Sequence, residues 1–386
     1  MNPANTTRTE RNTEEYIFAF STYKLLAFAI GIIGVLGFCN NIIVILLYHK
    51  FKRLRTPTNL LIVNISVSDL LVSLVGINFT FVSCIKGGWI WNSATCVWDG
   101  FSNSLFGIVS IMSLSALAYE RYIRVVHAQV VDIPWAWRCI VHIWLYSLAW
   151  TGAPLLGWNR YTLEIHRLGC SLDWTSQEPT DASFILLFFL GCFFVPVGIM
   201  IYSYGNILYT VRMLRSIQDL QTVQIVKILR YEKKVAVMFL LMICCFLVCW
   251  TPYAVVSMIE AFGRKRVVTP AIAIIPSFFA KSSTAYNPLI YIFMSRKFRR
   301  CFLQLLCSRL SWIQNRIKDR PLAHNVERPI RPIVMSHQGG MDRPKKKVTF
   351  SSSSIVFIIA RNDVPYLDNN SKSGTISSEG IRVQPL

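Results

Sequence analysis

Residues 267–294 read VVTPAIAIIPSFFAKSSTAYNPLIYIFM, and Lys281 is the only charged side chain among them. An apolar run of that length crosses a bilayer as a single helix. At about 1.5 Å per residue, Lys281 lies roughly 20 Å from either end, near mid-membrane. A lysine there costs about 2.5–3.5 kcal/mol on insertion scales, so an intramembrane cation marks a functional position by default. A lysine with only a structural task would snorkel from a helix end. This one cannot reach.

Working outward, the 386 residues are 53% hydrophobic and 16% charged, too apolar for a soluble domain. Runs of spanning length recur near 24–48, 59–83, 97–119, 136–157, 183–209, 235–261 and 268–294. They predict an all-α membrane protein: a seven-transmembrane helix bundle over residues 24–308, including a short amphipathic membrane-parallel helix at about 295–308. An extracellular segment, 1–23, precedes it. A cytoplasmic tail, 309–386, follows, and its mixture of Pro, Ser, Asn and charge predicts that it is mostly disordered. The first residues, MNPANTTRTERNTEEY, are polar and do not read as a cleavable signal peptide.

The net charge of +20 could suggest nucleic acid, but its distribution argues for membrane topology. Basic residues concentrate in alternate connections: Lys50, Lys52, Arg53 and Arg55; Arg121, Arg124 and Arg138; Arg212, Arg215, Lys227, Arg230, Lys233 and Lys234; Arg296, Lys297, Arg299 and Arg300. Arg264, Lys265 and Arg266 are a local exception. By the positive-inside rule the first set is cytoplasmic, placing the N-terminus outside a cell membrane and the C-terminus inside. The basic loops then face anionic lipid, and nucleic acid is excluded as a partner. Four N-x-S/T sequons occur, at Asn5, Asn64, Asn78 and Asn369. Only Asn5 is expected outside and reachable for glycosylation.

Most of the eleven cysteines read as small buried apolar residues. Cys96 and Cys170 fall on the oxidising side, where a disulfide between them would tie a loop over the bundle. Cys301 and Cys307 lie in the basic amphipathic stretch after the last span, where palmitoylation is expected.

Polar and proline signals recur at particular depths. Asn41 lies in the first span and Asp69 in the second, an acid that needs a hydrated interior. Glu120-Arg121-Tyr122 closes the third. Cys249-Trp250-Thr251-Pro252-Tyr253 puts a helix-kinking proline in the sixth. Asn287-Pro288-Leu289-Ile290-Tyr291 ends the seventh.

In this order, on these spans, the runs ERY, CWTPY and NPLIY resemble the microswitches of rhodopsin-like G-protein-coupled receptors, over roughly residues 24–308. Lys281, six residues before Asn287, stands where opsins carry the lysine that binds retinal. Within the opsins, KFKRLRTPTNLLIVNISVSDLLVSL, ALAYERYIRVVHA and the tail run RPIVMSHQGGMDRPKKKVTFSSSSIVFII are similar to the encephalopsin and teleost multiple-tissue groups.

That resemblance implies a light-activated receptor holding retinal (11-cis or all-trans) covalently as a protonated Schiff base on Lys281, with no enzyme activity. Asp99 matches the visual-opsin counterion, with Asp replacing Glu, and Glu164 matches the loop counterion of many non-visual opsins. Asp99 is read as the primary partner. Trp250, Tyr253, Phe189 and Phe193, with Trp98 and Phe101, are expected to line an aromatic pocket.

On the cytoplasmic side, Glu120 and Glu232 are expected to hold Arg121 at rest, and Tyr204 and Tyr291 to stabilise the active form. Pro196, Ile111 and Phe246 match the family's packing connector. The implied partners are a heterotrimeric G protein of the Gi/Go group and a receptor kinase with arrestin acting at Ser351–Ser354. Membrane lipids and a homodimer complete the expected partners. The apolar run 355–359 is a candidate strand for a partner's sheet or a membrane contact. Two alternatives stay open: a retinal photoisomerase, and a light-independent receptor. The intact ERY and NPLIY runs favour signalling.

Overall fold

A computed structural model describes residues 17–216, 223–263 and 267–307, with side chains except those of 214–216, 223–233 and 307. Asn5, Glu232, Cys307, Ser351–Ser354 and the tail therefore lie outside the described residues or side chains. So do Arg215, Lys227, Arg230, Lys233 and the basic run 264–266.

The chain builds a helical bundle: α1 (Phe20–Lys50), α2 (Pro57–Leu74), α3 (Gly76–Lys86), α4 (Ser93–Val126) and α5 (Ile133–Gly152). A hairpin of β1 (Tyr161–Leu163) and β2 (Cys170–Leu172) follows, then α6 (Pro179–Phe189), α7 (Val195–Ser216), α8 (Val223–Phe262), α9 (Pro270–Met294) and α10 (Arg296–Cys307). Consecutive pieces α2–α3 and α6–α7 each make one span. Among the described residues, six spans are long and apolar enough to cross a membrane by length and composition. α9 is the seventh. Its polar residues Lys281, Ser282, Ser283, Thr284 and Asn287 dilute its hydropathy, and it packs mainly against α8 and α1.

Local chemistry sets the helix starts. Thr56, Asn92, Asp132 and Thr269 accept from the backbone N–H three residues on, at 3.2, 2.9, 2.9 and 3.4 Å. Pro57 and Pro270 occupy the first helical position, where a missing N–H costs nothing. The helices run a few residues past the apolar runs because these capped polar turns continue them into the interface.

Two irregularities shape the bundle. The second span breaks at Val75, between α2 and α3, and Gly76 is held against Asn103 of α4: a Cβ there would sit 1.8 Å from Asn103 Oδ1. Between α6 and α7, Leu190–Phe194 form one wide π turn. It leaves the Gly191 carbonyl to accept from Tyr146 Oη of α5 at 3.1 Å.

One apolar cluster fills the half of the bundle holding Leu61, Leu114, Phe239 and Tyr291, and two more fill the half holding the hairpin. Large residues such as Leu25, Phe28, Leu145 and Ile201 point outward, as expected where the solvent is lipid. Asn64 is buried, donating to Ser113 Oγ at 2.8 Å and accepting from Trp144 Nε1 at 3.0 Å. Its sequon is therefore structural in this fold.

Candidate functional site

Lys281 sits midway along α9, partly buried, with Ser282 and Ser283 after it. Two acids approach from different elements, close enough for the lysine charge to act on both. Asp99, on the first turns of α4, is 0% exposed. Its Oδ1 accepts from Asn103 Nδ2 at 2.7 Å and its Oδ2 from the backbone N–H of Cys170 at 3.0 Å. Cys170 is disulfide-bonded to Cys96, a turn before Asp99, with Cα atoms 5.4 Å apart. The expected bridge is present, and it pins β2 against the helix that carries the acid.

Glu164 follows β1, in the turn of the same hairpin. Its Oε1 accepts from Tyr253 Oη of α8 at 2.7 Å, and its Oε2 is in ion-pair contact with His166 Nε2. Burial pushes the Glu164 carboxyl up, but His166, Lys281 and Tyr253 together outweigh it and hold the group at about 2. Among the described residues, no carboxylate oxygen comes within 4.0 Å of the Lys281 amine.

Aromatic rings surround these groups. Trp250 stacks on Phe246 (5.6 Å, 19°) and meets Tyr253 edge-on at 6.3 Å. Its indole N–H donates to Ser283 Oγ of α9 at 3.0 Å, and its ring abuts Gly107 of α4. Phe189 is buried against Trp174 at 5.7 Å, and Trp174 meets Tyr253 at 6.4 Å. Phe193 is partly buried at the boundary of two clusters. Phe101 packs edge-on to Tyr161 at 6.4 Å.

Trp98 corrects an expectation: it is 50% exposed, with Leu74, Val75, Phe79 and Trp91 in an outward-facing groove. One step around α4 from Asp99 turns a side chain from the interior to the lipid side. Tyr161, Trp174 and His166 are site residues that sequence reading missed. Their position in a loop hides them, because the periodicity that marks a helix face is absent there.

At the other end of α4, Glu120 accepts from Arg121 Nε at 2.5 Å, Arg124 Nη2 at 2.7 Å and Thr58 Oγ1 at 3.0 Å. Arg121 also donates to Thr58 Oγ1 at 2.6 Å and lies over the Phe239 ring. Tyr122 Oη contacts His127 Nε2 at 2.9 Å. Tyr204 is buried, with no partner for its hydroxyl among the described residues.

Between the two ends, Asp69 accepts from Asn287 Nδ2 at 3.1 Å and Ser110 Oγ at 3.4 Å. Asn41 donates to the carbonyls of Gly37 and Thr284 at 2.8 Å each, and Tyr291 Oη shares a 2.8 Å hydrogen bond with Ser66. Pro288 is buried within α9. Cys301, one of the two expected palmitoylation positions, faces inward. It is fully buried, and its Sγ accepts from Arg53 Nε at 3.0 Å.

Residues 40–291 match the 7 transmembrane receptor (rhodopsin family). The chain belongs to that receptor family, and within it to the opsins. It is 57% identical to Opsin-3 of Mus musculus over 370 residues, covering 96% of this chain and 92% of that protein. It is 36% identical to pinopsin of Columba livia over 290 residues, 74% of this chain and 81% of that one. The crystal structure of squid rhodopsin superposes with a TM-score of 0.69 at 33% identity, covering 77% of this chain and 87% of that chain. These relatives are receptors, not enzymes. The family implies heterotrimeric G-protein coupling, and opsin relatives imply a retinal chromophore.

Proposed function

We propose that the protein is a light-activated, non-visual opsin that binds retinal covalently on Lys281 as a protonated Schiff base. In this reading Asp99 is the primary counterion, Glu164 is secondary, and the signal passes to Gi/Go-type G proteins. One observation carries the proposal: a partly buried lysine inside the bundle, within the field of the buried Asp99 and the largely enclosed Glu164, on the helix that Trp250 meets through Ser283. The donor set fits the group. A lysine nitrogen forms an imine with an aldehyde, the nearby acids supply the anion that a fixed cation needs, and rings suit a polyene.

When bound, retinal supplies light absorption and a change of shape against its walls. The chain's own residues do the rest. Asp99, held by Asn103 and the Cys170 amide, offers a fixed negative charge toward Lys281. Trp250 is wedged on Gly107 and tied to Ser283, so pressure on its ring reaches both α4 and α9. Pro252, two residues on, lacks an N–H and lets α8 bend. Outward movement of α8 opens a cleft at Arg121, which is closed at rest by Glu120 and Thr58. A G-protein helix docks there.

The disulfide supports an extracellular hairpin end, and the basic loops support a cytoplasmic opposite end. Kinase and arrestin action at Ser351–Ser354, glycosylation at Asn5, acylation at Cys307 and a homodimer belong to the same proposal.

The test is a light-minus-dark absorbance spectrum of purified protein incubated with 11-cis-retinal, followed by borohydride trapping. A visible band and a label on Lys281 are expected. A label elsewhere, or none, overturns the reading. Retinal turnover without light-driven nucleotide exchange would instead identify a photoisomerase.

A further inference from the structure

The turn that joins β1 to β2 is built around one strained residue. Glu164 N–H donates to Gly169 O at 3.0 Å and Arg167 N–H donates to Glu164 O at 2.8 Å, closing a tight loop. Arg167 at its tip has φ 56°, the left-handed region that a non-glycine residue rarely adopts. Arg167 is turned out to solvent and the preceding residue, His166, inward, where it is 1% exposed.

The ring of His166 accepts a hydrogen bond at Nδ1 and meets the Glu164 carboxylate at Nε2 by close contact alone. Leu168 N–H donates to Nδ1 at 3.1 Å, which fixes the plane of the ring. Nε2 is in contact with Glu164 Oε2, while Tyr253 takes Oε1. The two oxygens of this acid face Tyr253 and His166, and neither lies within 4.0 Å of the Lys281 amine. The charged and titratable groups around the pair are Tyr253 and Glu260 from α8, Asp99 from α4, Lys281 from α9, and Cys84 from α3 beside Lys281.

We propose that His166 is a positioning residue that holds the Glu164 carboxylate back from Lys281, so that Asp99 is the operative anion and Glu164 stays secondary. The inference rests on the reading of Lys281 as the chromophore attachment point. Removal of the imidazole frees Oε2 to swing toward Lys281, and the second acid then substitutes for the first. Proximity to the lysine does not select the counterion here. A side chain two residues from Glu164 does.

The experiment is a set of absorbance spectra at neutral pH after loading with 11-cis-retinal: wild type, D99N, D99N/H166A and D99N/H166Q. D99N is expected to lose the visible band to a near-ultraviolet one. D99N/H166A is expected to regain it through Glu164. D99N/H166Q keeps an amide donor for Oε2 and is expected to stay in the ultraviolet. A D99N/H166A pigment that remains ultraviolet overturns the proposal, and so does D99N alone retaining its visible band.

If wild type forms no pigment, the chromophore reading fails by itself. The pairing is then read in the chromophore-free receptor, from the melting shifts of H166A, E164Q and the double variant. Less-than-additive shifts are expected, and additive shifts overturn the pairing.

Discussion

The backbone N–H of Cys170 donates to Asp99 Oδ2 at 3.0 Å, while the sulfur of Cys170 is bonded to Cys96, three residues before that acid. The same peptide unit accepts the Glu164 N–H through Gly169 O at 3.0 Å. One amide plane therefore fixes the placement of both acids, and the disulfide fixes the plane. Replacing Cys96 and Cys170 together by Ser should lower stability by about 2–4 kcal/mol. It should also abolish retinal loading, read by thermal melting and by the visible band. A variant that loads retinal normally would show that Asp99 keeps its place without the tether.

Gly107 is where α4 meets the Trp250 ring: a Cβ there would lie 2.8 Å from Cη2 and 3.2 Å from Cζ2. Gly107→Ala should overpack this contact at a cost of about 1–3 kcal/mol. Because the displaced ring is tied to Ser283 and stacked on Phe246, dark nucleotide exchange should rise as melting temperature falls. An unchanged melting curve would mean that the ring yields freely.

Glu120 carries more than the expected pair, since Arg121, Arg124 and Thr58 all donate to it. Hydrogen bonds to charged groups contribute about 1.5–3 kcal/mol, and the partial exposure of Arg124 lowers its share. Thr58→Ala and Arg124→Ala should each raise dark nucleotide exchange severalfold, and Arg124→Lys less so. Equal exchange in wild type and both alanine variants would remove these residues from the resting latch.

The Glu164 carboxyl lies at about 2, against an ordinary 4.5, because His166, Lys281 and Tyr253 overcome its burial. A folded value below the unfolded one contributes stability that is fully present above pH 4.5 and is lost as pH falls toward 2. The gap between those two values corresponds to at most about 3.4 kcal/mol. Melting temperature should therefore fall over that acid range in the wild type and fall less in Glu164→Gln. Parallel curves would place the acid sensitivity elsewhere.

Cys301 is enclosed beneath Arg53, and α10 is further held by Arg53 Nη2 donating to Gln304 Oε1 at 2.6 Å. Metabolic labelling with palmitate should be unaffected by Cys301→Ala and abolished by Cys307→Ala. Loss of label in Cys301→Ala alone would show that the buried thiol becomes accessible in the membrane.

Much of this was legible in the sequence because membranes leave coarse signatures. Spans are long and apolar, Lys281 is conspicuous by its isolation, and Cys96 and Cys170 share one side of the topology. What was not legible depends on contacts between elements. The amide that holds Asp99 belongs to a residue 71 positions away. Trp98 adjoins Asp99 in sequence yet faces the lipid side, since about 100° separates consecutive residues on a helix. Burial of Cys301 follows from Arg53 reaching across from the loop after α1, and nothing in the amphipathic pattern of α10 records it. The orientation of His166 depends on the left-handed φ of Arg167, which an arginine does not advertise.

The wide turn at Leu190–Phe194 contributes one residue more than a regular helix would use. A helical wheel drawn straight through 179–216 consequently misassigns the azimuth of everything beyond Phe194 by about a quarter revolution. Tyr204, ten residues beyond the turn, is buried in the bundle. A single-residue deletion in this turn would rotate the cytoplasmic half of the span as a block and leave Phe189 where it is. The lower half of the receptor could thus be re-aimed without disturbing the upper chamber.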